Sequence, residues 1–210
     1  MSSAKSLRYE ARLVADCCSP HGPITTDIRA IIVLGIVNIL RDDNRFQDYA
    51  AELPAVHLET IEHAIASSWI PWETYIAHLE AIAKTSMSDL QIGANAERMG
   101  SGLFDNLYGT VIRMIQKAGG KESLWIGLRQ TSRVFFRMYR GGRCQVHQVG
   151  PKDATLTFSG MRHIQSRVAV LSLSAFLRGA FRHTTRSCVV KALPTQGMPP
   201  DQLTLSISWV

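Results

Sequence analysis

The stretch RMYRGGRCQVHQVGPKDATLTFSG, Arg137–Gly160, changes its periodicity halfway along. Up to Gly141 the pattern is helical, and after Gly142 apolar and polar residues alternate, which is typical of a strand. The alternating segments RCQVHQVG and ATLTFSG are joined by PKD, and this arrangement predicts a β-hairpin. The stretch therefore separates a helical part of the chain from a part that contains strands.

Working outward from this hairpin, the chain returns to a helical pattern in HIQSRVAVLSLSAFLRGAFRH. It ends in SCVVKAL and QLTLSISWV, which form a second predicted hairpin around PTQGMPPD. The order of helices, hairpin, helix and hairpin predicts an α+β fold. We expect an N-terminal helical layer packed on a four-stranded antiparallel sheet, made of two hairpins with a crossing helix between them.

Upstream of the hairpin, Thr25 to Asp27 offer an N-cap for a buried helix, IRAIIVLGIVNILRDDN. Short helices are predicted around Phe46 and Leu58, and Pro71 begins another. At least two further helical pieces are expected between Ser86 and Gly119. Residues 1–24 have weak periodicity and end in the turn-rich CCSPHGP, so they are predicted to be an arm or tail before a single domain, 25–210.

Composition is that of a globular protein, with 210 residues, 46% hydrophobic and 19% charged. No apolar run is long enough to span a bilayer, and the N-terminus lacks the apolar core of a signal peptide. The four cysteines form no CxxC motif, so reduced thiols and a cytoplasmic location are expected. The adjacent Cys17 and Cys18 are either a reactive pair or incidental.

The net charge of +6 is divided unevenly along the chain. Residues 1–105 hold 8 Lys and Arg against 14 Asp and Glu, whereas residues 106–210 hold 15 against 3. The acidic first half and the basic second half have three explanations. The basic half binds an anionic partner, the two halves attract each other within one fold, or copies of the chain associate head to tail.

Four arginines are predicted to form a stripe on one continuous helix that begins at Ser123 and ends at Gly141. At 100° per residue they lie opposite an apolar stripe that contains Leu128 and Phe135. The stripe is interpreted as a solvated face, as a binding site for an acidic protein or nucleic acid, or as a contact with the acidic half of this chain or a second copy. Its members are Arg129, Arg133, Arg137 and Arg140.

Sequence motifs of enzymes and metal sites are missing. There is no GxSxG, SxxK, P-loop, GxGxxG or HExxH, and no helix-turn-helix or zinc-finger pattern. His57, His63 and His78 lie near glutamates, but their spacing does not place them on one helix face. We therefore expect neither catalysis nor a metal site.

The order of these segments resembles a known superfamily that comprises H-NOX domains, 4-vinyl-reductase-like domains and Bet-three-type TRAPP subunits. Within it, the chain is similar to an uncharacterised family with many myxobacterial paralogues. The matching segments are IRAIIVLGIVNIL, ELP, SSWIPWETYIAHLEAI, RMYRGGRCQVHQVGPKDATLTFSG, FLRGAF and LTLSISWV, which together cover roughly residues 27–210.

The resemblance implies a small-molecule-sensing or protein-interaction module, usually without catalysis. Combined with the cysteine usage and the charge division, it leads us to expect a cytoplasmic, non-enzymatic domain that senses a small apolar ligand or binds an acidic partner protein or a second copy of itself. Seven aromatic residues are candidates to line its cavity, namely Trp69, Trp72, Tyr75, Phe104, Tyr108, Trp125 and Phe136. The alternative function is that of a polyanion-binding or nucleic-acid-binding protein that uses the basic half.

H-NOX relatives hold haem through a proximal histidine and a Tyr-x-Ser-x-Arg motif. This sequence keeps Tyr139 and Arg143, but Gly141 stands where the serine is expected, and no histidine occurs between Gly100 and Leu124. We therefore expect no haem and no other cofactor.

Overall fold

The computed structural model describes residues 10–117, 123–182 and 184–210, with the backbone alone described for residues 104–117, 123 and 132. Helices and antiparallel strands form an α+β arrangement, in which most of the helices precede most of the strands. In chain order the elements are β1 (Arg12–Cys18), β2 (Asp27–Arg29), α1 (Ala30–Asp42), α2 (Phe46–Glu52), α3 (Ala55–Glu62), β3 (Trp69–Pro71), α4 (Trp72–Lys84), α5 (Asp89–Lys117), α6 (Ser123–Arg129), α7 (Thr131–Met138), β4 (Tyr139–Arg140), β5 (Arg143–Gly150), β6 (Asp153–Ser159), α8 (Arg167–Phe181), β7 (Cys188–Ala192) and β8 (Leu203–Trp209).

The main sheet is antiparallel and has the strand order β1-β5-β6-β8-β7. Both predicted hairpins, β5–β6 and β7–β8, are present, and α8 crosses between them. The sheet has five strands where the sequence predicted four. The additional strand, β1, lies inside the segment expected to be an N-terminal arm and pairs along β5.

Alternation along the strands builds the core. On β8, Leu203, Leu205 and Ile207 are fully buried and Trp209 is 8% exposed. These side chains belong to one cluster of buried apolar residues that also contains the inner faces of α1, α4, α7 and α8. Helical layer and sheet thus share a single core.

A second sheet, of order β3-β2-β4, joins the helical layer to the main sheet. The sequence predicted a helix from Ile28, but Asp27–Arg29 is a strand and α1 begins at Ala30. Ile28 is fully buried between Ile70 of β3 and Tyr139 of β4. Strand pairing on both sides explains why this short segment does not extend the helix.

Two predictions about helix boundaries are wrong. Asp89–Lys117 is one helix, α5, rather than two pieces. The predicted continuous arginine helix is interrupted at Gln130, which separates α6 from α7, and Arg140 lies on β4. The arginines are therefore carried by three elements instead of one.

Helices α5 and α8 pack at close range through glycines. A Cβ placed on Gly179 would lie 2.0 Å from the carbonyl oxygen of Glu97, and one on Gly100 would lie 2.2 Å from that of Phe176. Since neither space can hold a side chain, the two backbones are in direct contact. Within the described part of the chain, no helix combines the length and the hydropathy needed to cross a membrane.

Candidate functional site

An apolar cavity of about 60 Å³ lies between the helical layer and the main sheet. Its walls come from α1, α5, α7, β4, β6 and α8, and most of the described wall residues are apolar. The lining residues are Ile32, Leu103, Thr131, Val134, Phe135, Met138, Tyr139, Leu156, Phe158, Leu173, Phe176 and Leu177. Such a cavity favours a small apolar ligand over a charged one, because it offers no charged partner.

Helix α7 has two different faces. Thr131, Val134, Phe135 and Met138 face the cavity, and Phe135 and Met138 are buried. The adjacent Phe136 points outward and is 38% exposed, with exposed arginines one turn before and one residue after it. One short helix therefore connects the cavity to the surface of the protein.

A second, smaller cavity of about 20 Å³ lies beside the first and shares Tyr139 and Leu173 with it. Trp72 and Tyr75, two of the seven predicted aromatic residues, line this space. Trp72 is 2% exposed, and its indole nitrogen donates a hydrogen bond to the carbonyl oxygen of Arg162 at 3.2 Å. Both residues therefore stand next to the larger cavity.

Trp69, Trp125 and Phe136, three of the other predicted aromatic residues, line neither cavity. Trp125 packs edge-on against Trp209, with ring centroids 4.9 Å apart, and donates a hydrogen bond to the Pro151 carbonyl oxygen. Trp69 lies at the surface of the second sheet and Phe136 on the outside of α7. The side chains of Phe104 and Tyr108 lie outside the described part of the structure.

The four predicted arginines lie on the outer side of α6, α7 and β4. Arg129, Arg133 and Arg137 are exposed, and Arg140 is half-buried over the Trp69 ring, 4.5 Å from its centroid. Within the described residues none of the four forms an ion pair. We call these residues the arginine surface.

The sequence analysis missed Arg29, which completes this surface. Its guanidinium lies 3.9 Å from the centroid of the Trp69 ring, on which Arg140 also lies. It donates hydrogen bonds to the carbonyl oxygens of Arg137, at 3.0 Å, and Ser67. A strand assignment for β2 would have placed Arg29 opposite Trp69, but the helix predicted there concealed the pairing.

Other arginines of the basic half do form ion pairs with the acidic half. Arg143 pairs with Asp16, and the α8 side of the domain pairs with α4 and α5. These ion pairs agree with the explanation in which the acidic first half and the basic second half attract each other within one fold. The pairs of the α8 side are Arg162–Glu73, Arg167–Asp89 and Arg178–Glu97.

The histidines of the helical layer do not meet. His78 is buried and its Nδ1 lies 2.8 Å from the Tyr49 hydroxyl, His57 contacts the Thr74 hydroxyl, and His63 contacts a carbonyl oxygen of its own helix. Burial lowers the pKa of His78 to about 3, so its imidazole is neutral. Among the residues that the structure describes, no group of His, Cys, Asp and Glu is arranged to hold a metal ion.

The residues that match the haem-binding motif do not fit a haem propionate. Arg143 lies on the outer face of β5, where its Nε donates to Asp16 at 2.8 Å and lowers the pKa of that carboxyl group. At Gly141, a Cβ would lie 1.8 Å from the carbonyl oxygen of Ile24. A serine at this position would therefore displace the segment that leads into β2.

The cavity does not fit haem either. About 60 Å³ is far below the volume of a porphyrin, and no histidine is among the lining residues. The sequence contains none from Gly100 to Leu124, which includes the part of α5 whose side chains are not described. The absence of haem stays a prediction, which an absorption spectrum tests.

The cavity was only partly predictable. Phe135 and Met138 belong to the apolar stripe that the sequence placed opposite the arginines, and Leu156 and Phe158 follow from the alternation of β6. We had expected aromatic residues to line it because relatives hold ligands between layers. Among the described lining residues, aliphatic side chains outnumber aromatic ones, and they look like ordinary core in the sequence.

No protein-family model matches this chain, and no curated protein matches it. Solved structures do match. The unliganded Fe(II) H-NOX protein from K. algicida has a TM-score of 0.56 and 11% identity, and the match covers 87% of this chain and 97% of that chain. A mutant of the same protein gives a TM-score of 0.56 at 10% identity, with coverage of 87% and 97%.

The IWP-051-bound H-NOX from Shewanella woodyi, in the Fe(II)CO ligation state, has a TM-score of 0.53 and 9% identity, with coverage of 86% and 94%. At these identities the likeness concerns the fold and leaves function open. The resemblance to H-NOX domains that the sequence predicted is thereby confirmed for the fold: the chain is built as an H-NOX-like α+β domain.

Proposed function

We propose that this protein is a non-enzymatic ligand-sensing domain in which α7 transmits the binding of a small apolar molecule to the arginine surface. The observation that carries this proposal is the two-faced character of α7. Four of its residues line the apolar cavity, while Arg133, Phe136 and Arg137 are exposed on its outside. The H-NOX-like fold supports the proposal, since one structural neighbour is an H-NOX described with the compound IWP-051 bound.

The size of the cavity determines how a ligand would act. An engineered apolar cavity of about 150 Å³ accepts benzene, and the cavity here is about 60 Å³. A ligand larger than a few atoms therefore enters only if a wall moves. Helix α7 is the shortest helical wall, and Gln130 separates it from α6.

Such a ligand binds the displaced position of α7 better than the closed position, and this difference in affinity shifts the equilibrium between them. Displacement of α7 moves Arg133 and Arg137 with it. Because arginine binds carboxylates through two parallel hydrogen bonds, the arginine surface suits an acidic protein partner. The exposed Phe136 adds an aromatic anchor of the kind that protein interfaces favour.

Toluene is a suitable probe of the cavity, followed by amide NMR shifts. We expect the largest shifts in α7 and in the strand beneath it, β6. Val134→Phe fills the cavity and should abolish the shifts, whereas Val189→Phe adds the same side chain at an exposed site on β7 and should leave them unchanged. Shifts that are scattered over the surface, or that persist in Val134→Phe, would contradict the proposal. If Val134→Phe does not fold, the test rests on the unaltered protein, in which the largest amide shifts must fall in α7 and β6.

The proposed ligand site functions without haem. Protein that is expressed with haem supplied should show no Soret absorption after purification, because neither Gly141 nor Arg143 is placed for a propionate. A Soret band of stoichiometric intensity would overturn this prediction.

A second candidate function is the binding of nucleic acid by the arginine surface. The observation that favours it is the pair of guanidiniums, Arg29 and Arg140, on the Trp69 ring, since aromatic rings and arginines also bind exposed bases. Binding of a single-stranded oligonucleotide should then weaken steeply as salt increases. Salt-insensitive or undetectable binding favours the acidic protein partner.

A further inference from the structure

Two cysteines from distant parts of the chain lie opposite each other in the main sheet. In the antiparallel pairing of β1 with β5, Cys17 is the direct partner of Cys144. Both residues are buried, at 1% and 0% exposure, and both belong to the core cluster. Their side chains therefore project from the same face of the sheet toward each other's position.

The hydrogen-bond pattern of the two strands fixes the separation. Ser19 and Gly142 extend the same register by two residues, and the Ser19 amide donates to the Gly142 carbonyl at 3.1 Å. Hydrogen-bonded and non-hydrogen-bonded pairs alternate in an antiparallel ladder, so Cys17 and Cys144 form another hydrogen-bonded pair. The Cα atoms of such a pair are about 5.5 Å apart, which lies within the range of about 4.4–6.8 Å found in disulfides.

We propose that Cys17 and Cys144 form a reversible cross-strand disulfide that fastens β1 to β5. The bond would form by exchange with a low-molecular-weight disulfide. The Cys17 thiolate attacks one sulfur of the oxidant and releases one thiol. The Cys144 thiolate then attacks the Cys17 sulfur and releases the second thiol. Two cysteine thiols and one small disulfide thus give one protein disulfide and two small thiols.

Access to the buried sulfurs comes from the position of β1. Among the described strands, β1 lies at the edge of the sheet and pairs with β5 alone, and its residues other than Cys17 are partly or fully exposed. Edge strands open locally at low cost in free energy. Burial and the neighbouring Cys17 raise the pKa of the Cys144 thiol, which makes the closed sheet slow to react. Local opening of β1 is therefore needed both for the disulfide to form and for it to be reduced.

The test uses a Cys18→Ser/Cys188→Ser double variant, whose only remaining cysteines are Cys17 and Cys144. It is treated with oxidised glutathione and digested with trypsin without reduction. We expect one intramolecular crosslink between peptides Leu13–Arg29 and Cys144–Lys152, loss of both thiols in a thiol assay, and reversal by dithiothreitol. Low urea, which promotes local opening, should accelerate the crosslinking.

The crosslink encloses the whole helical layer in a covalent loop, so it restricts the unfolded chain strongly. The oxidised double variant should melt roughly 10 °C above the reduced one. Glutathione adducts without a crosslink, or a crosslink that forms only between two molecules, would overturn the proposal. The unaltered protein supplies a second reading, since a Cys17–Cys18 crosslink in place of Cys17–Cys144 would also overturn it.

Discussion

Helices α7 and α8 both lie over the main sheet and both carry arginines, yet they are held in different ways. Residues of α8 and of the segment before it form ion pairs with α4 and α5, through Arg162, Arg167 and Arg178. The glycine contacts at Gly100 and Gly179 bring its backbone against α5. Helix α7 is short, lies over a cavity, and its arginines form no ion pair within the described residues.

The difference indicates which part of the domain is fixed and which part has freedom to move. Exposed ion pairs contribute about 0–1 kcal/mol each, so the direct backbone contact does more than the charges to hold α8. Because α7 packs against a cavity, its side chains make fewer dispersion contacts than they would against a filled core. We therefore expect α5 and α8 to give the fold its rigid support, and the proposed response to ligand to involve movement of α7.

The largest expected effect is that of Trp209→Ala, which tests how α6, the helix just before α7, is held against the sheet. Trp209 of β8 packs against Trp125 of α6, so Trp209→Ala removes one contact between α6 and the sheet and leaves a cavity in the core. We expect the free energy of unfolding to fall by about 3–5 kcal/mol, including the cavity that is left. Urea denaturation measures it, and an unchanged midpoint would show that the C-terminal strand is not part of the core.

Gly179→Ala tests the rigid side directly. The new methyl group would lie 2.0 Å from a backbone carbonyl oxygen of α5, so the helices must separate, and we expect a loss on the order of 3 kcal/mol. Gly102→Ala is the matched control on α5, because its Cβ has no neighbour within 4 Å. That change should be neutral or raise stability by up to about 1 kcal/mol. Equal behaviour of the two variants would contradict close packing of α5 and α8.

These contacts show why the sequence predicted the layers but not their attachment. Alternation revealed the hairpins, and helical periodicity revealed α8. The strand character of β1 was concealed by its weak pattern, since this strand lies at the edge of the described sheet and only one of its seven residues is buried. Nothing local distinguishes Gly179, where an added Cβ would meet the backbone of α5, from Gly102, where an added Cβ would have no neighbour within 4 Å. Close approach between distant segments is a property of the fold that a single sequence does not display.

The arginine surface shows the same limit. Spacing correctly placed Arg133 and Arg137 opposite Phe135 and Met138, because residues three and four apart share a helix face. Spacing did not reveal the break at Gln130 or the arrival of Arg29 from β2. The charge division of the chain likewise did not indicate which arginines form ion pairs.

The buried His78 on α4 should make the free energy of unfolding depend on pH. Its pKa is about 3 in the folded protein and 6.5 in the unfolded chain. Below pH 6.5 the unfolded chain takes up a proton that the folded protein refuses, so the free energy of unfolding decreases as pH falls. The slope is at most about 1.4 kcal/mol per pH unit for one such group.

Denaturation between pH 7 and pH 5.5 measures this slope above the range in which most carboxyl groups titrate. His78→Gln should flatten it, while a glutamine can still accept a hydrogen bond from Tyr49. His63→Gln changes an exposed histidine and is the control. A slope that His78→Gln does not alter would assign the pH dependence to other groups.

The smallest expected effect on stability concerns the arginine surface. Changing Arg129, Arg133 and Arg137 together to Glu should shift the free energy of unfolding by less than about 1 kcal/mol, because all three are exposed. The same change should abolish binding of an acidic partner, since a net positive surface attracts anions over a Debye length of about 8 Å at physiological salt. Association is measured by light scattering at low and high salt and by binding to an acidic peptide.

The control carries the same charge change at Lys152, Arg186 and Lys191, which are exposed on other elements. If both triple variants lose binding equally, the net charge of the protein is responsible and the arginine surface has no special role.

If self-association is lost in the first variant alone, a second copy is the acidic partner. Its Asp42 and Asp43 are a weak target for this contact, because Arg98 already lies within 3.4 Å and 3.5 Å of them in the same chain. If the first variant alone loses peptide binding but still binds toluene, the two faces of α7 have separate roles. The arginine surface then binds the partner, and the cavity face binds the ligand.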